Sequence, residues 1–204
     1  MDVEDALGVY LEAMLAENQH LSLTGIRDPQ EAHVLHVLDS LQIGELGLAP
    51  RRCLDLGSGN GFPGIALCAL FPEAEVCWME RTGKKLAAMQ RILETPAVKA
   101  AGIPPPELLK MDAAQAPALR KDLLGHFDLV TARALAAPEQ AATLARPLTS
   151  EGGSLVLWLA EGTPPPPALP GFARSGLRHY SLPEPASRSR CLACYQRTCA
   201  DRGT

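Results

Sequence analysis

A run of glycines between an apolar strand and a helix constrains the fold of this chain more than any other segment. The predicted strand covers residues 53–56 and the predicted helix covers residues 63–71, with Gly57, Gly59 and Gly61 between them. Glycines at such a junction let the backbone turn tightly and let a ligand approach the peptide groups. Three alternating glycines exceed the needs of a plain turn, so residues 57–62, the glycine loop, are predicted to bind a ligand.

Strands alternate with helices along the rest of the chain. Further strands are predicted at residues 75–79, 107–111, 127–131, 154–159, 178–181 and 191–197, with helices at residues 83–94 and 138–145. A proline run at residues 164–167 is incompatible with regular structure and is expected to form a surface loop. The alternation predicts an α/β sandwich with a mainly parallel sheet.

The first fifty residues show helical patterns instead. Apolar residues recur at helical spacing from Val3 to Leu15, and a second helix is expected to begin with Asp28 as N-cap and Pro29 at its first position. We therefore expect a helical element at residues 1–48 and an α/β domain at residues 49–204.

The composition limits the classes of function. The 204 residues carry a formal net charge of −4, which is unfavourable for nucleic-acid binding unless positive charge is concentrated locally. No apolar stretch is long enough to span a membrane, and the N-terminus is acidic where a signal peptide would be basic. We expect a cytoplasmic protein without a membrane partner.

The six cysteines are expected to be reduced and structural. Cys191 and Cys194 form a C-x-x-C, but no second pair and no nearby histidine pair completes a zinc site. Both lie in a predicted strand, where positions three apart point to opposite faces. We expect no bound metal; a redox or metal role is the alternative.

Two carboxylates near the glycine loop bear on the ligand. Gly59, Gly61 and Gly64 spell the G-x-G-x-x-G of dinucleotide-binding loops. Asp55, at the end of the first strand, would repel a pyrophosphate, whereas it can meet the ammonium of an amino-acid moiety directly or through water. Glu80, at the end of the second strand, can accept from ribose hydroxyls in either cofactor. Asp55 therefore favours S-adenosylmethionine over NAD; a loop that binds nothing is the third alternative.

Arg133 follows the fourth predicted strand, at the edge where open α/β sheets bind ligands. The D/N-P-P-Y motif of amino-group methyltransferases is absent there. An arginine fork can donate to guanine O6, to a phosphate or to the carboxylate of a cofactor. We expect a solvent-facing catalytic group that contributes little to stability, with a structural ion pair as the alternative.

Five motifs in order give the chain a family resemblance. Residues 55–65 resemble the D-[VL]-G-[ST]-G-x-G-[FL]-P-G-[IL] signature of the 16S ribosomal RNA guanine-N7 methyltransferases called RsmG or GidB. Residues 23–29 resemble the family's N-L-T-x-[IV]-R-D-P, residues 36–40 its H-x-x-D-S, residues 83–85 its G-K-[RK] and residues 130–134 its [ST]-x-R-A. The resemblance implies a Rossmann-like class I S-adenosylmethionine-dependent methyltransferase sandwich with N-terminal helices.

The resemblance also implies roles for individual residues. Cofactor contacts are expected from Asp55, Gly57, Gly59, Gly61, Phe62, Glu80, Asp112, Ala113, Ala114 and Arg133. RNA contacts are expected from Arg27, His36, Lys84 and Lys85, and catalysis from Arg133. Ala113 and Ala114 stand where the family usually has an Ala-Glu or Val-Glu pair, so a side-chain acid for the adenine is missing unless Asp112 substitutes. Asp112 as a surface acid is the alternative.

The implied reaction needs little acid–base chemistry. Guanine N7 carries an in-plane lone pair and no proton, so the protein must supply alignment and must hold the base out of its stack. The implied substrate is 16S ribosomal RNA within a small ribosomal subunit particle. Methylation of a small molecule or protein is the main alternative, followed by a nicotinamide-dependent oxidoreductase and a non-catalytic adenosyl-binding regulator.

Positive charge near the site is expected to offset the acidic balance. Lys84 and Lys85 begin a helix, where cations oppose the dipole, which favours a bound anion over a solvated face. Together with Arg27, Arg91 and Arg133 they are expected to form one rim. His36 and Asp39 lie three apart on a helix and are expected to hydrogen-bond each other, as a structural pin or beside the RNA.

Overall fold

A computed structural model describes residues 1–198 and contains one eight-stranded sheet. Its strands are β1 (Arg52–Leu56), β2 (Glu75–Glu80), β3 (Glu107–Lys110), β4 (Phe127–Arg133), β5 (Thr149–Leu159), β6 (Ala168–Leu169), β7 (Phe172–Leu182) and β8 (Arg188–Arg197). The strand order is β3-β2-β1-β4-β5-β8-β7-β6. Strands β1 to β5 pair in parallel, and β8, β7 and β6 add antiparallel strands. The predicted α/β sandwich with a mainly parallel sheet is confirmed.

Helices flank the sheet and precede it. The α-helices are α1 (Val3–Glu17), α2 (Pro29–Ala32), α3 (Asp39–Leu41), α4 (Gly64–Leu70), α5 (Gly83–Glu94), α6 (Pro96–Ala100), α7 (Ala116–Leu119) and α8 (Pro138–Ala145). A π-helical segment, His33–Leu38, joins α2 to α3, and 3-10 turns cover Gln42–Leu46 and Lys121–Leu123. The short α6 and α7 are absent from the sequence-based assignment, because four or five residues are too few to show helical periodicity.

Residues 29–46, the helical run, form a continuous helix that changes type along its length. The carboxylate of Asp28 accepts from the amide of Glu31 at 2.8 Å, which confirms the predicted N-cap. Gly47 ends the run with a φ of 65°, a conformation that glycine adopts without steric cost. Five residues, 47–51, separate the run from β1. The predicted boundary between the helical element and the α/β domain, after residue 48, falls in this connection.

Two apolar layers cover the two faces of the sheet. Neighbours on a strand point to opposite faces, so Cys53 of β1 enters one layer and Leu54 the other. The first layer also contains Leu7 and Tyr10 of α1, which are fully buried. Burial of a large apolar side chain contributes about 1.5–3 kcal/mol, so the N-terminal helices are held firmly against the sheet.

The β7–β8 hairpin returns to the helical run. The hydroxyl of Tyr180 donates to Asp39 Oδ1 at 2.5 Å, and Arg178 donates to Gln42 Oε1 at 3.1 Å. The indole of Trp158, in β5, donates to the carbonyl oxygen of Asp39 at 2.9 Å. These bonds hold the helical run over the carboxyl ends of β4 and β5.

The described cysteines are unpaired. Cys53, Cys68, Cys77 and Cys191 are buried and Cys194 is half-buried. Cys191 and Cys194 pack in different layers, as the strand assignment predicts. The sixth cysteine, Cys199, and the end of the predicted α/β domain lie outside the described residues. Within residues 1–198, every helix is too short or too polar to cross a bilayer.

Candidate cofactor and substrate site

A cavity of about 1020 Å³ opens at the carboxyl ends of β1 to β4. One wall consists of the glycine loop except Gly61, residues 79–82 at the end of β2, residues 111–114 after β3 and residues 133–136 at the end of β4. The other wall consists of residues from the helical run, β5 and β8. Open α/β sheets bind ligands at this edge, and the volume exceeds the space that one drug-sized ligand requires.

The glycine loop is fastened to the end of β2. The amides of Gly57 and Ser58 donate to the carbonyl oxygen of Met79 at 2.9 and 3.2 Å. The amide of Gly59 donates to Glu80 Oε2 at 3.1 Å. Gly57 and Gly59 have φ angles of 78° and 55° and line the cavity, and the approach of a ligand to their peptide groups stays a prediction.

Gly61 has a different role from the predicted cofactor contact. It does not line the cavity, and a Cβ at this position would overlap the hydroxyl of Tyr10. That hydroxyl donates to the carbonyl oxygen of Asn60 at 3.1 Å. Gly61 is therefore a glycine because α1 packs against the loop at this point, and its contact with the cofactor stays a prediction.

Asp55 lies behind the loop. Its side chain is 1% exposed and stands outside the cavity wall. Oδ1 accepts from the hydroxyl of Thr131 at 2.9 Å, and Oδ2 accepts from the amide of Gly64 at 3.0 Å. Burial raises the pKa of this carboxyl to about 7. Asp55 therefore positions the start of α4, and its contact with a cofactor ammonium, directly or through water, stays a prediction.

Glu80 and the residues after β3 lie where the sequence predicts. Glu80 is 6% exposed and lines the cavity. Its Oε1 accepts from the amide of Thr82 at 2.7 Å, so with Gly59 on Oε2 both oxygens are held in place. Asp112, Ala113 and Ala114 line the same wall, and Asp112 Oδ1 accepts from the amide of Ala114 at 2.9 Å.

Arg133 lines the cavity but is not solvent-facing, because its side chain is only 13% exposed. Nη1 donates to the carbonyl oxygen of Leu35 at 3.1 Å, to Ser40 Oγ at 3.2 Å and to Asp39 Oδ2 at 3.3 Å. Nη2 donates to the carbonyl oxygen of Phe62 at 3.1 Å. The expectation of an exposed arginine that contributes little to stability is wrong, since Arg133 ties β4 to the helical run and to the glycine loop.

His36 is a buried, neutral ring in the cavity wall. Its Nε2 lies 3.1 Å from Thr24 Oγ1, and its Nδ1 accepts from Arg133 at 3.4 Å, which places the ring hydrogen on Nε2. Burial, with a smaller contribution from Arg133, lowers the pKa of His36 to about 3. The expected bond between the side chains of His36 and Asp39 is absent, and both contact Arg133 instead.

The expected basic rim forms only in part. Lys85 lines the cavity, while Lys84 and Arg27 are exposed outside its wall. Arg91 lies in the last turn of α5 and pairs with Glu17, away from the cavity.

Three arginines without a role expected from the sequence also line the cavity. These are Arg81, Arg188 and Arg190. Arg188 and Arg190 lie two apart in β8 and therefore share a face, a spacing visible in the sequence. The direction of that face depends on how the hairpin pairs, and this is not visible in the sequence.

Among residues 1–198, no group of three or more His, Cys, Asp or Glu side chains is placed to hold a metal ion.

The family model described as rRNA small subunit methyltransferase G, named GidB, matches residues 4–162 of this chain.

The chain belongs to this family.

Curated relatives carry the name Ribosomal RNA small subunit methyltransferase G. One from Leptothrix cholodnii is 34% identical over 163 residues, which cover 76% of this chain and 67% of the relative. One from Syntrophotalea carbinolica is 32% identical over 193 residues, with 88% and 82% covered. A shorter match to the Colwellia psychrerythraea protein, 36% identical, covers 44% of this chain and 42% of the relative.

Solved structures share the fold of this rRNA small subunit methyltransferase G family member. A predicted O-methyltransferase from Agrobacterium tumefaciens is 23% identical, covers 79% of this chain and 81% of its own, and has a TM-score of 0.59. A mutant of MtNAS in complex with S-adenosylmethionine is 14% identical, with 93% and 73% covered and a TM-score of 0.60. The Rossmann-like class I methyltransferase fold is confirmed.

Proposed function

We propose that this protein transfers a methyl group from S-adenosylmethionine to N7 of a guanine in 16S ribosomal RNA. The observation that carries the proposal is the buried Glu80 carboxylate, which is fixed beside the glycine loop in the wall of the large cavity. Membership of the rRNA small subunit methyltransferase G family supports the same function.

The cavity wall fits the parts of the cofactor. Glu80 would accept from the ribose hydroxyls, and Asp112 with the backbone of Ala113 and Ala114 would contact the adenine. The backbone of Gly57 and Gly59 would face the amino-acid moiety. When bound, the cofactor supplies a methyl group that is already activated by its sulfonium.

The protein needs no general base for this reaction, because guanine N7 has no proton to lose. Asp39, a buried carboxylate in the wall, is engaged by Arg133 and Tyr180. What the chain supplies is alignment, which contributes several kcal/mol when two reactants are held in register. Arg133 supports this alignment by joining the helical run to the glycine loop beside the reacting groups.

The substrate side of the cavity belongs to the N-terminal element, residues 1–48, and to β8. Lys85, Arg81, Arg188 and Arg190 surround an opening in a chain whose net charge is −4. Lys84 and Arg27 are exposed outside the wall. We propose contacts from these side chains to RNA phosphates, with a cytoplasmic small ribosomal subunit particle as the substrate, since a particle offers protein surface as well as RNA.

Methylation of ribosomal RNA from cells that lack the gene tests the proposal. The purified protein, labelled S-adenosylmethionine, and either free 16S RNA or small subunits would be combined, and modified guanines located by mass mapping. We expect one N7-methylguanine, and calorimetric binding of S-adenosylmethionine and of its demethylated product but not of NAD. Transfer to a protein or small molecule, with none to RNA, would establish the alternative.

A further inference from the structure

Arg190 lines the cavity wall, and its side chain makes no hydrogen bond to residues 1–198. Its side chain is 21% exposed, and its Nε is fully buried and unsatisfied. The nearest acidic atom is Asp39 Oδ1, 3.9 Å from Nε, which is beyond hydrogen-bond distance. A buried donor without a partner costs about 1–3 kcal/mol, so its presence requires an explanation.

Asp39 does not supply that explanation, because its oxygens are engaged elsewhere. Oδ1 accepts from the hydroxyl of Tyr180 at 2.5 Å, and Oδ2 accepts from Arg133 at 3.3 Å. The carboxylate is 2% exposed and lies between two guanidinium groups. It holds the buried Nε of Arg190 in place by charge, and the Nη groups of Arg190 make no hydrogen bond to residues 1–198.

The two arginines therefore have different capacities for a ligand. Arg133 donates to backbone and side-chain oxygens of the helical run and the glycine loop, so a new acceptor would displace an existing bond. Arg190 can bind an acceptor without losing a hydrogen bond. Arg190 is therefore better able than Arg133, the donor expected from the sequence, to bind guanine O6.

The surroundings of Arg190 suit a flat base. Leu35 and Trp158 also line the cavity and give it apolar surface. Arg188 is 37% exposed, with its Nη2 3.8 Å from Glu31 Oε1. A wall that combines apolar side chains with an unsatisfied guanidinium favours an extruded base with a carbonyl oxygen over a phosphate, which would be better placed near the more exposed Arg188.

We propose that Arg190 donates to O6 of the target guanine and thereby selects guanine over adenine. This rests on the proposed function and names the residue that reads the base. O6 and N7 lie on the same edge of guanine, so a donor fixed on O6 also sets the position of N7. Adenine presents an amino group in place of O6, and this amino group cannot accept a hydrogen bond from the guanidinium of Arg190.

The test compares two arginines of the same hairpin. Arg190→Gln removes the guanidinium from the cavity, and Arg174→Gln, the matched control, removes a contact to the carbonyl oxygen of Pro165 outside the cavity wall. Single-turnover methylation of RNA would be measured at saturating S-adenosylmethionine, alongside calorimetry with the cofactor and a thermal melt. We expect Arg190→Gln to slow methylation by about ten- to hundredfold with unchanged cofactor affinity and melting temperature, and Arg174→Gln to retain the rate.

Base analogues at the target position separate base reading from a purely structural role. 2-Aminopurine keeps N7 and lacks O6, whereas inosine keeps both. The wild type should lose a similar factor on 2-aminopurine but not on inosine, and Arg190→Gln should lose nothing further on 2-aminopurine. An equal further loss on that analogue, or a loss that tracks the melting temperature, would overturn the role of Arg190. A wild type inactive on guanine RNA would instead refute the proposed function.

Arg190→Lys provides a second variant should the glutamine protein fold poorly. Lysine keeps a positive charge near Asp39 but replaces the planar fork by a point donor. If Arg190 only balanced the charge of Asp39, the lysine variant would methylate guanine and 2-aminopurine RNA in the wild-type ratio. We expect the ratio of the rate on guanine RNA to the rate on 2-aminopurine RNA to move towards one in the lysine variant.

Discussion

The hydroxyl of Tyr10 in α1 donates to the carbonyl oxygen of Asn60 within the glycine loop, at 3.1 Å. The Tyr10 ring is fully buried and meets Phe62 and Trp78 edge to face, with centroids 5.4 and 6.0 Å apart. A helix fifty residues upstream therefore supports the loop that is proposed to hold the cofactor. The N-terminal helices contribute to the cofactor side of the site as well as to the substrate side.

Gly61→Ala tests this support. The new Cβ would overlap the Tyr10 hydroxyl, and the φ of 91° is unfavourable for alanine. We expect a loss of about 2–5 kcal/mol in unfolding free energy, from backbone strain and overpacking together, and weaker binding of S-adenosylmethionine. Urea unfolding and calorimetry measure the two effects.

Gly102→Ala is the matched control for Gly61→Ala. Gly102 has a φ of 75°, but a Cβ there would meet nothing within 4 Å. This variant therefore carries the backbone strain without the collision. Equal destabilisation by the two substitutions would show that contact with Tyr10 is unimportant.

Glu80→Gln should weaken cofactor binding. Both oxygens of Glu80 accept from backbone N–H groups, those of Gly59 and Thr82. In glutamine an NH2 group replaces one of these oxygens and would face a backbone N–H instead of accepting from it. We expect at least a tenfold loss of affinity for S-adenosylmethionine, because charge-assisted bonds contribute about 1.5–3 kcal/mol. Glu75 begins the same strand, is exposed, and lies at the opposite end, so Glu75→Gln should bind as the wild type does. Unchanged calorimetric affinity in Glu80→Gln would remove Glu80 from the cofactor site.

The pH dependence of stability should report on Asp55. Burial raises its pKa from 3.8 to about 7, so between those values the unfolded chain has lost a proton that the folded protein retains. Its contribution to the unfolding free energy therefore declines as pH rises towards 7, by at most about 4 kcal/mol. Asparagine can keep both contacts, with its oxygen to Gly64 and its amide to Thr131, and it does not titrate.

Urea unfolding of the wild type and of Asp55→Asn, from about pH 5 to pH 8, measures this contribution. We expect the variant to gain stability relative to the wild type as the pH rises. Curves that stay parallel across this range would mean that Asp55 titrates alike in the folded and unfolded states.

Local patterns predict the half of the fold that contains the cofactor wall. The glycine loop and Glu80 follow adjacent strands of a parallel sheet, so their meeting at one edge depends only on strand order. The hairpin is different: most side chains of β7 are exposed or half-buried, without the apolar alternation that marks a strand. Its length, and the placement of Arg190 against Asp39, arise from antiparallel pairing with β8, which no local pattern encodes.

The burial of Arg133 has the same origin. Its position after β4 is visible in the sequence, but its partners come from the helical run and the glycine loop. These segments meet only because the N-terminal helices pack over the sheet edge. A motif can therefore identify an important arginine and still misjudge what it contributes to folding.

Arg133→Ala should consequently reduce stability as well as turnover. The substitution leaves the Asp39 carboxylate, 2% exposed, with Arg190 at 3.9 Å as its remaining ion-pair partner, and removes one donor from the carbonyl oxygens of Leu35 and Phe62. Removing one partner of a buried ion pair costs up to about 3–5 kcal/mol. Lysine should recover only part of this, because one ammonium cannot span the helical run and the glycine loop as the planar fork does.

The measurements are urea unfolding, cofactor calorimetry and single-turnover methylation at a temperature where each variant stays folded. Arg120→Ala is the control, since that half-buried arginine pairs with the exposed Asp122 and lies outside the cavity wall, so its loss should leave all three unchanged. We expect Arg133→Ala to lose stability and to methylate slowly even when fully folded, because the two walls of the cavity are no longer joined. Normal stability with lost turnover would indicate that Arg133 is a purely catalytic group. Normal stability together with normal turnover would refute both its structural and its catalytic role.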